Sequence, residues 1–323
     1  MANKNLIALI FGITGQDGSY LAKLLIDKGI IVFGTSRDEF TADKSNLEIL
    51  GIANKVKIFS CDITNFRSIL ITLEKTNPDY LFHLAGQTSV GLSFSLPYES
   101  IDSILISTLH TLEAVKFFNN KIRIFLPCSS DCFGPSSLEK PSNEKSVHMP
   151  KSPYAVAKSS SYWLAMTYKE SYGMFISVGF LSNHESPLRG KHFVTTKIFN
   201  GIRQILNNEK KIINFGNLNI YRDWGWAPSY VEAIFKIITA DKPENYIVAT
   251  GKTYSLKYII ERAFELKGIK DVSKFVKINT DDFRPNEIKQ SFLDPSKISY
   301  ELNWKQNIDI DEMINKLLKE ELF

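Results

Sequence analysis

Short apolar runs without a polar break alternate with longer stretches of helical periodicity through the first half of the chain. Leu6-Ile-Ala-Leu-Ile-Phe11 is the first such run, the pattern of a strand covered on both faces of a parallel sheet. It leads into Gly12-Ile-Thr-Gly15-Gln-Asp-Gly18 and then into Ser19–Lys28, where apolar residues recur at helical spacing until Gly29. A second apolar run, Ile30-Ile-Val-Phe33, follows at once. A strand, a glycine turn, a helix and a strand in so short a span require a crossover between parallel strands. The rhythm continues, with strands predicted at Val56–Phe59, Tyr80–Leu84, Ile122–Leu126 and Phe175–Phe180. Helices are predicted at Asn65–Lys75, Thr108–Phe118, Tyr154–Ser171 and near 195–207. This alternation predicts an α/β fold built on a doubly wound, Rossmann-type, mostly parallel sheet. From about residue 184 the rhythm loosens.

Composition narrows the class. Of 323 residues, 44% are hydrophobic and 23% charged, which suits a packed globular chain and not a disordered one. Lys and Arg number 39 against 35 Asp and Glu, and the basic residues form no run, so no nucleic-acid partner is expected. The three cysteines, Cys61, Cys128 and Cys132, have no metal-ligand spacing, and neither a disulfide scaffold nor a metal site is expected. Leu6–Phe11 is too short for a signal-peptide core or a membrane span, so the expectation is a cytoplasmic protein without a membrane partner.

The chemistry concentrates in two places. Gly12, Gly15 and Gly18 lie between a predicted strand and helix, where glycines tighten the turn and let the backbone approach a pyrophosphate at the helix N-terminus. Arg37, just past the second strand, is placed to meet the 2′-phosphate of NADP; a solvated arginine is the other reading, since Asp38 follows it. Asp62, past the third strand, is either an acceptor for an adenine amino group or a turn residue. Tyr154 and Lys158 stand one helical turn apart, an arrangement in which the ammonium lowers the phenol's pKa and prepares a base. Ser129 and Asp131 lie at the end of a predicted parallel strand, where such sheets place their reactive groups. With the glycine loop, this hydroxyl, tyrosine and lysine set points to hydride transfer at a carbinol carbon. The expected division is a dinucleotide-binding domain over 1–183 and a smaller, discontinuous lobe over 184–323, some segments of which return to the first domain.

The chain resembles the extended short-chain dehydrogenase/reductases that modify nucleotide sugars, most closely the GDP-mannose 4,6-dehydratases. The resemblance rests on Gly12–Tyr20, Ser152-Pro-Tyr-Ala-Val-Ala-Lys158, Asn183-His-Glu-Ser-Pro187 with Arg189-Gly190, and Phe193–Ile198. It continues through Gly216-Asn-Leu218, Arg222-Asp-Trp-Gly225, Tyr230–Ala233, Ala249-Thr-Gly251 and Arg284-Pro285 with Glu287. It implies a lyase that oxidises C4 of a GDP-hexose or heptose, eliminates water across C5 and C6, and returns the hydride to C6. Ser129, Asp131, Tyr154 and Lys158 are then catalytic. NADP, with NAD as the alternative, is held by Gly12, Thr14, Gly15, Gln16, Asp17, Gly18, Arg37, Asp62, Ile63, Leu84, Tyr154, Lys158, His184 and Arg189. The GDP-sugar is held by Ser89, Asn183, Lys197, Arg222, Arg284 and Glu287. A homodimer or homotetramer is implied as well.

The sequence departs from the family in places. Asp131 stands where the family has the Glu that acts as C5 base, and Ser89 replaces a family His. The segment after Arg37 lacks a second Arg, and Asp102–Thr108 loses the family's glycines. A reductase of GDP-4-keto sugars, or a C4 dehydrogenase without elimination, is therefore the competing expectation.

Overall fold

The computed structural model describes residues 5–209 and 211–323. The first half runs β1 (Ile7–Phe11), α1 (Gln16–Asp27), β2 (Ile31–Ser36), α2 (Ser45–Ile49), β3 (Lys57–Ser60), α3 (Phe66–Thr76) and β4 (Tyr80–His83). It continues with α4 (Val90–Ser95), α5 (Pro97–Ile101), a π-helical segment Asp102–Ile106, α6 (Ser107–Phe118), β5 (Arg123–Ser129), α7 (Pro153–Tyr172), β6 (Ile176–Leu181) and β7 (Asn183–Glu185). The second half comprises α8 (Val194–Leu206), β8 (Ile213–Phe215), β9 (Tyr221–Trp226), α9 (Ala227–Thr239), β10 (Asn245–Val248), β11 (Thr253–Ser255), α10 (Leu256–Glu265), β12 (Val276–Ile278), α11 (Ser296–Leu302) and α12 (Ile310–Lys319).

Seven strands form one sheet in the order β10-β6-β5-β4-β1-β2-β3, and every neighbouring pair is parallel. Their apolar runs are explained by burial on both faces: α1 and α9 cover one side, and α3, α6 and α7 the other. The chain order reverses between β1 and β4. At such a switch point the C-terminal ends of the strands open a crevice. Residues 227–248 return from the second half to this sheet, α9 packing on α1 and β10 pairing with β6. The remainder of the second half has its own apolar cluster, drawn from α8, α10, α12 and the strands β8 and β9. No described helix is long and apolar enough to cross a membrane.

Glycine geometry ties α1 to β1. Gly12 sits at φ +80, and a Cβ there would lie 2.9 Å from the Ala85 Cα. A Cβ on Gly18 would lie 2.2 Å from the Gly12 carbonyl oxygen and 2.8 Å from the Ile13 Cα. These neighbours are backbone and cannot rotate aside. Gly18→Ala is expected to cost about 3 kcal/mol, the upper end of ordinary overpacking; urea unfolding with an unchanged m-value measures it.

Some features of the first half escaped the periodicity, the short α2 and β7 among them. Helix α1 begins at Gln16, three positions before the predicted Ser19, because the glycine turn itself forms the first helical turn. Residues 90–106 form two short helices and the π-helical segment, where the apolar positions keep no single period.

Candidate active site

A cleft of about 490 Å³ opens at the C-terminal ends of β4, β5 and β6 and is closed from the other side by the second half of the chain. Helix α7 delivers Tyr154 and Lys158 to it. Pro153 occupies its first turn, and the Ser152 hydroxyl caps it by accepting from the Ala155 amide at 3.1 Å. Strand β5 ends at Ser129, and the single helical turn that follows holds Asp131, 8% exposed. The Ser129 Oγ accepts from the Asp131 amide at 3.2 Å, which keeps the hydroxyl and the carboxylate side by side.

Tyr154 is buried against Ile104 and Ala157. Burial, reinforced by the Asp131 carboxylate, pushes its phenol well above the usual tyrosine range, and the Ser129 hydrogen bond pulls it only partly back. In the free protein burial thus outweighs the lowering expected from Lys158, whose ammonium lies 5.9 Å from the centre of the ring and donates to the Pro127 carbonyl at 2.9 Å. Burial also lowers the pKa of Lys158. The phenol is thus protonated in the free protein. Behind the pair, the buried thiols of Cys128 and Cys132 lie 3.3 Å apart.

The glycine loop forms the cofactor side. Gly15 caps α1 without a side-chain hydrogen bond, so the first amides of the helix remain available to an anion, and the glycines leave room for it to approach. These residues fit a dinucleotide pyrophosphate. The acidic side chain of that first turn, Asp17, turns instead to His184, whose Nε2 stands 2.9 Å from its carboxylate. Burial alone would raise the Asp17 carboxyl, but the charge and hydrogen bond of His184 outweigh it and hold it at about 2. In return Asp17 raises the imidazole above its ordinary value, against burial. His184 also bonds the Ser182 carbonyl at 2.7 Å and stacks on Tyr230, with ring centres 4.7 Å apart. Gln16 donates to the His184 carbonyl and accepts from Ser186, so the loop and β7 are joined by side chains remote in sequence.

On the opposite wall, Arg222 is 5% exposed and stands 3.0 Å from Glu287, while Arg284 reaches the same carboxylate oxygen at 3.2 Å. With Lys197 and Asp282 in the same lining, three cations face two carboxylates on this wall. The surplus positive charge suits a diphosphate, which bidentate guanidinium groups recognise well.

All four predicted catalytic residues and all six predicted substrate residues line this one cleft, as do Asp17, Leu84, His184 and Arg189. Ser89 also caps α4, accepting from the Leu92 amide at 3.3 Å. Gly12, Thr14, Gly15, Gln16, Gly18, Arg37, Asp62 and Ile63 follow the ends of β1, β2 and β3, beside the cleft and not in its lining. Asp62 accepts from the amide and hydroxyl of Thr64, the geometry of a turn. Sequence reasoning missed Glu185, 1% exposed in the cleft wall, which accepts from Thr195 and pairs with Arg189 at 3.3 Å. It missed Gln87 too, whose amide braces the Ser89 loop against Ser100. Neither has a periodic or spacing signal.

A family model described as GDP-mannose 4,6 dehydratase matches residues 9–317. GDP-mannose 4,6 dehydratase from Drosophila melanogaster is 33% identical over 344 residues, covering 99% of this chain and 87% of its own. GDP-mannose 4,6-dehydratase from Sinorhizobium fredii is 33% identical, covering 98% of this chain and 96% of its own. Among solved structures, the UDP-glucose 4-epimerase of Thermus thermophilus in complex with NAD superposes with a TM-score of 0.85 at 20% identity, covering 98% of each chain. The dTDP-glucose 4,6-dehydratase of Bacillus anthracis, in complex with NAD, also has a TM-score of 0.85, at 16% identity, covering 98% of this chain and 96% of its own.

Proposed function

The chain belongs to the GDP-mannose 4,6-dehydratase family, and from that premise we infer that it converts GDP-mannose to a GDP-4-keto-6-deoxy sugar. The observation that carries this reading is the meeting of Ser129, Asp131, Tyr154 and Lys158 with Lys197, Arg222 and Arg284 in one cleft. The three cations hold the diphosphate and so set the sugar's distance from Tyr154. Ser129 donates a hydrogen bond to the C4 oxygen, and Tyr154 takes the C4 hydroxyl proton. A bound nicotinamide dinucleotide supplies the hydride acceptor at C4 and the hydride donor at C6. Asp131 removes the C5 proton, acidified by the new C4 ketone, and the C6 hydroxyl leaves as water. Both hydrogens leaving the sugar as protons are accounted for: one departs with the water and one returns to C5.

The test is a mass spectrum of the nucleotide sugar after incubation with GDP-mannose and NADP⁺. Loss of one water supports the reading. Loss of two hydrogens with a reduced cofactor would make the protein a C4 dehydrogenase, and an unchanged sugar would overturn the reading in favour of a reductase.

For the cofactor we propose NADP. Arg37 is exposed just past β2, and the Asp38 carboxylate beside it is engaged by the Phe40 amide at 2.9 Å. Arg37→Ala is expected to weaken NADP⁺ binding about 10-fold, the worth of one charge-assisted hydrogen bond, and to leave NAD⁺ binding nearly unchanged. Tighter binding of NAD⁺ than NADP⁺ by the unmodified protein would reverse the assignment.

A homodimer is proposed as well. Phe117 on α6 and Trp163 on α7 are 74% and 58% exposed, and Val156 on α7 is 45% exposed. Large apolar side chains exposed on neighbouring helices are what a second copy of the chain would cover. Light scattering on the eluting protein is expected to give the mass of two chains, and Trp163→Glu that of one.

A further inference from the structure

Strand β4 ends at His83, whose imidazole has no part in the steps above. The residue is 4% exposed and stands edge-on to Phe11, with ring centres 5.7 Å apart. Backbone groups of His83 itself and Ser107 hydrogen-bond the ring, but its Nε2 is buried without a protein partner among the described residues. Buried ring nitrogens are seldom left unpaired, because nothing repays their lost hydration.

Beneath the active site lies a second, separate cavity of about 20 Å³, lined by His83, Lys158, Thr108 and Ser161. That is room for one water molecule, which needs two to four polar partners. The walls provide them. Lys158 gives one ammonium proton to the Pro127 carbonyl and keeps two more. Thr108 and Ser161 both donate to the Ile104 carbonyl, at 2.6 and 3.2 Å, and retain lone pairs. That carbonyl belongs to the π-helical segment, where helical hydrogen bonding is irregular.

We propose that one water molecule in this cavity accepts from Lys158 and donates to His83 Nε2, making His83 a positioning residue for the lysine that works with Tyr154. His83 suits the part as an acceptor because burial holds it at about 4, neutral at pH 7. The other titratable groups around Lys158 are Asp17, Cys128 and Cys132, together with Tyr154, and Tyr162 lines the same small cavity. Without the acceptor, the buried ammonium loses support for its charge. Its field at Tyr154 weakens, and the phenol ionises less readily.

The kinetic arm of the test rests on the dehydratase reading; the structural arm does not. In a crystal structure that resolves ordered solvent, density for a water bridging His83 Nε2 and the Lys158 Nζ is expected, and its absence overturns the proposal whatever the protein catalyses. In the kinetic arm, His83→Phe and His83→Gln are compared with the unmodified protein on GDP-mannose across pH, with circular dichroism confirming the fold of each. His83→Phe is expected to move the acid limb of kcat up by about one pH unit, lowering the rate below that limb about 10-fold at nearly constant KM. His83→Gln, which keeps an acceptor, is expected to restore most of the rate. Equal losses in both variants with an unshifted profile would show a merely structural histidine and overturn the proposal. A protein that ignores GDP-mannose but holds the bridging water would instead count against the dehydratase reading alone.

Discussion

Tyr154→Phe is expected to lower kcat for GDP-mannose about 10³-fold, within the range for loss of a positioned acid–base group, and to leave KM close to its original value. The substitution keeps the ring that packs against Ile104 and Ala157 and removes only the hydroxyl. That hydroxyl is raised in pKa by burial and then by the Asp131 carboxylate, and its removal takes away none of the ring packing. In the proposed reading the diphosphate is held by Lys197, Arg222 and Arg284 on the far wall, so KM is expected to stay unchanged. Steady-state kinetics separates the two parameters, because an interaction made only in the transition state moves kcat alone. A kcat within a few-fold of the original would remove Tyr154 from the mechanism.

Asp131→Asn is the second large effect, and it acts on a different step. The amide matches the carboxylate in shape but cannot take a proton, so elimination is expected to fall about 10³-fold and C4 oxidation to survive. In D₂O the unmodified protein is expected to place deuterium at C5, and the variant to place none. Loss of water at an undiminished rate from Asp131→Asn would rule out this carboxylate as the base. The family resemblance puts a Glu at this position, and Asp ends one methylene short. A misplacement of about 1 Å can cost roughly 10²-fold in rate. Asp131→Glu is therefore an informative companion, since a faster variant would show that the shorter side chain limits the native rate. The turn holding Asp131 is fixed by the bond from its amide to Ser129, so any compensation for the shorter side chain lies in that local geometry.

The parts of the site that were legible share one property: their chemistry is local in sequence. Gly12, Gly15 and Gly18 announce a strand-to-helix turn, and Tyr154 and Lys158 share a helical face one turn apart. Arg222 and Glu287 were named only through resemblance, because an isolated Arg and an isolated Glu carry no period. Their bond joins residues 65 positions apart. The pair between Asp17 and His184 spans 167 positions, and nothing in either segment announces the other. The hydroxyl-rich stretch from Ser100 to Ser107 was unreadable for another reason. Its side chains bond back to carbonyls three and four residues earlier, on helical backbone that apolar spacing does not show.

The amino-acid sequence by itself determined the alternation of strands and helices, the glycine turn at the head of α1 and the Tyr154–Lys158 pair, because each is written locally, in unbroken apolar runs, in glycines three apart or in spacings of 3.6 or 4 residues. Tertiary structure alone decided which strands are neighbours, and so that β10 returns from residue 245 to pair with β6. It also decided that Lys158 turns to the Pro127 carbonyl and that Tyr154 is buried beside Asp131, which reverses the pKa shift that spacing alone suggested. The physical reason is desolvation: a pKa depends on how much water the surrounding fold removes, and burial is settled by elements far apart along the chain.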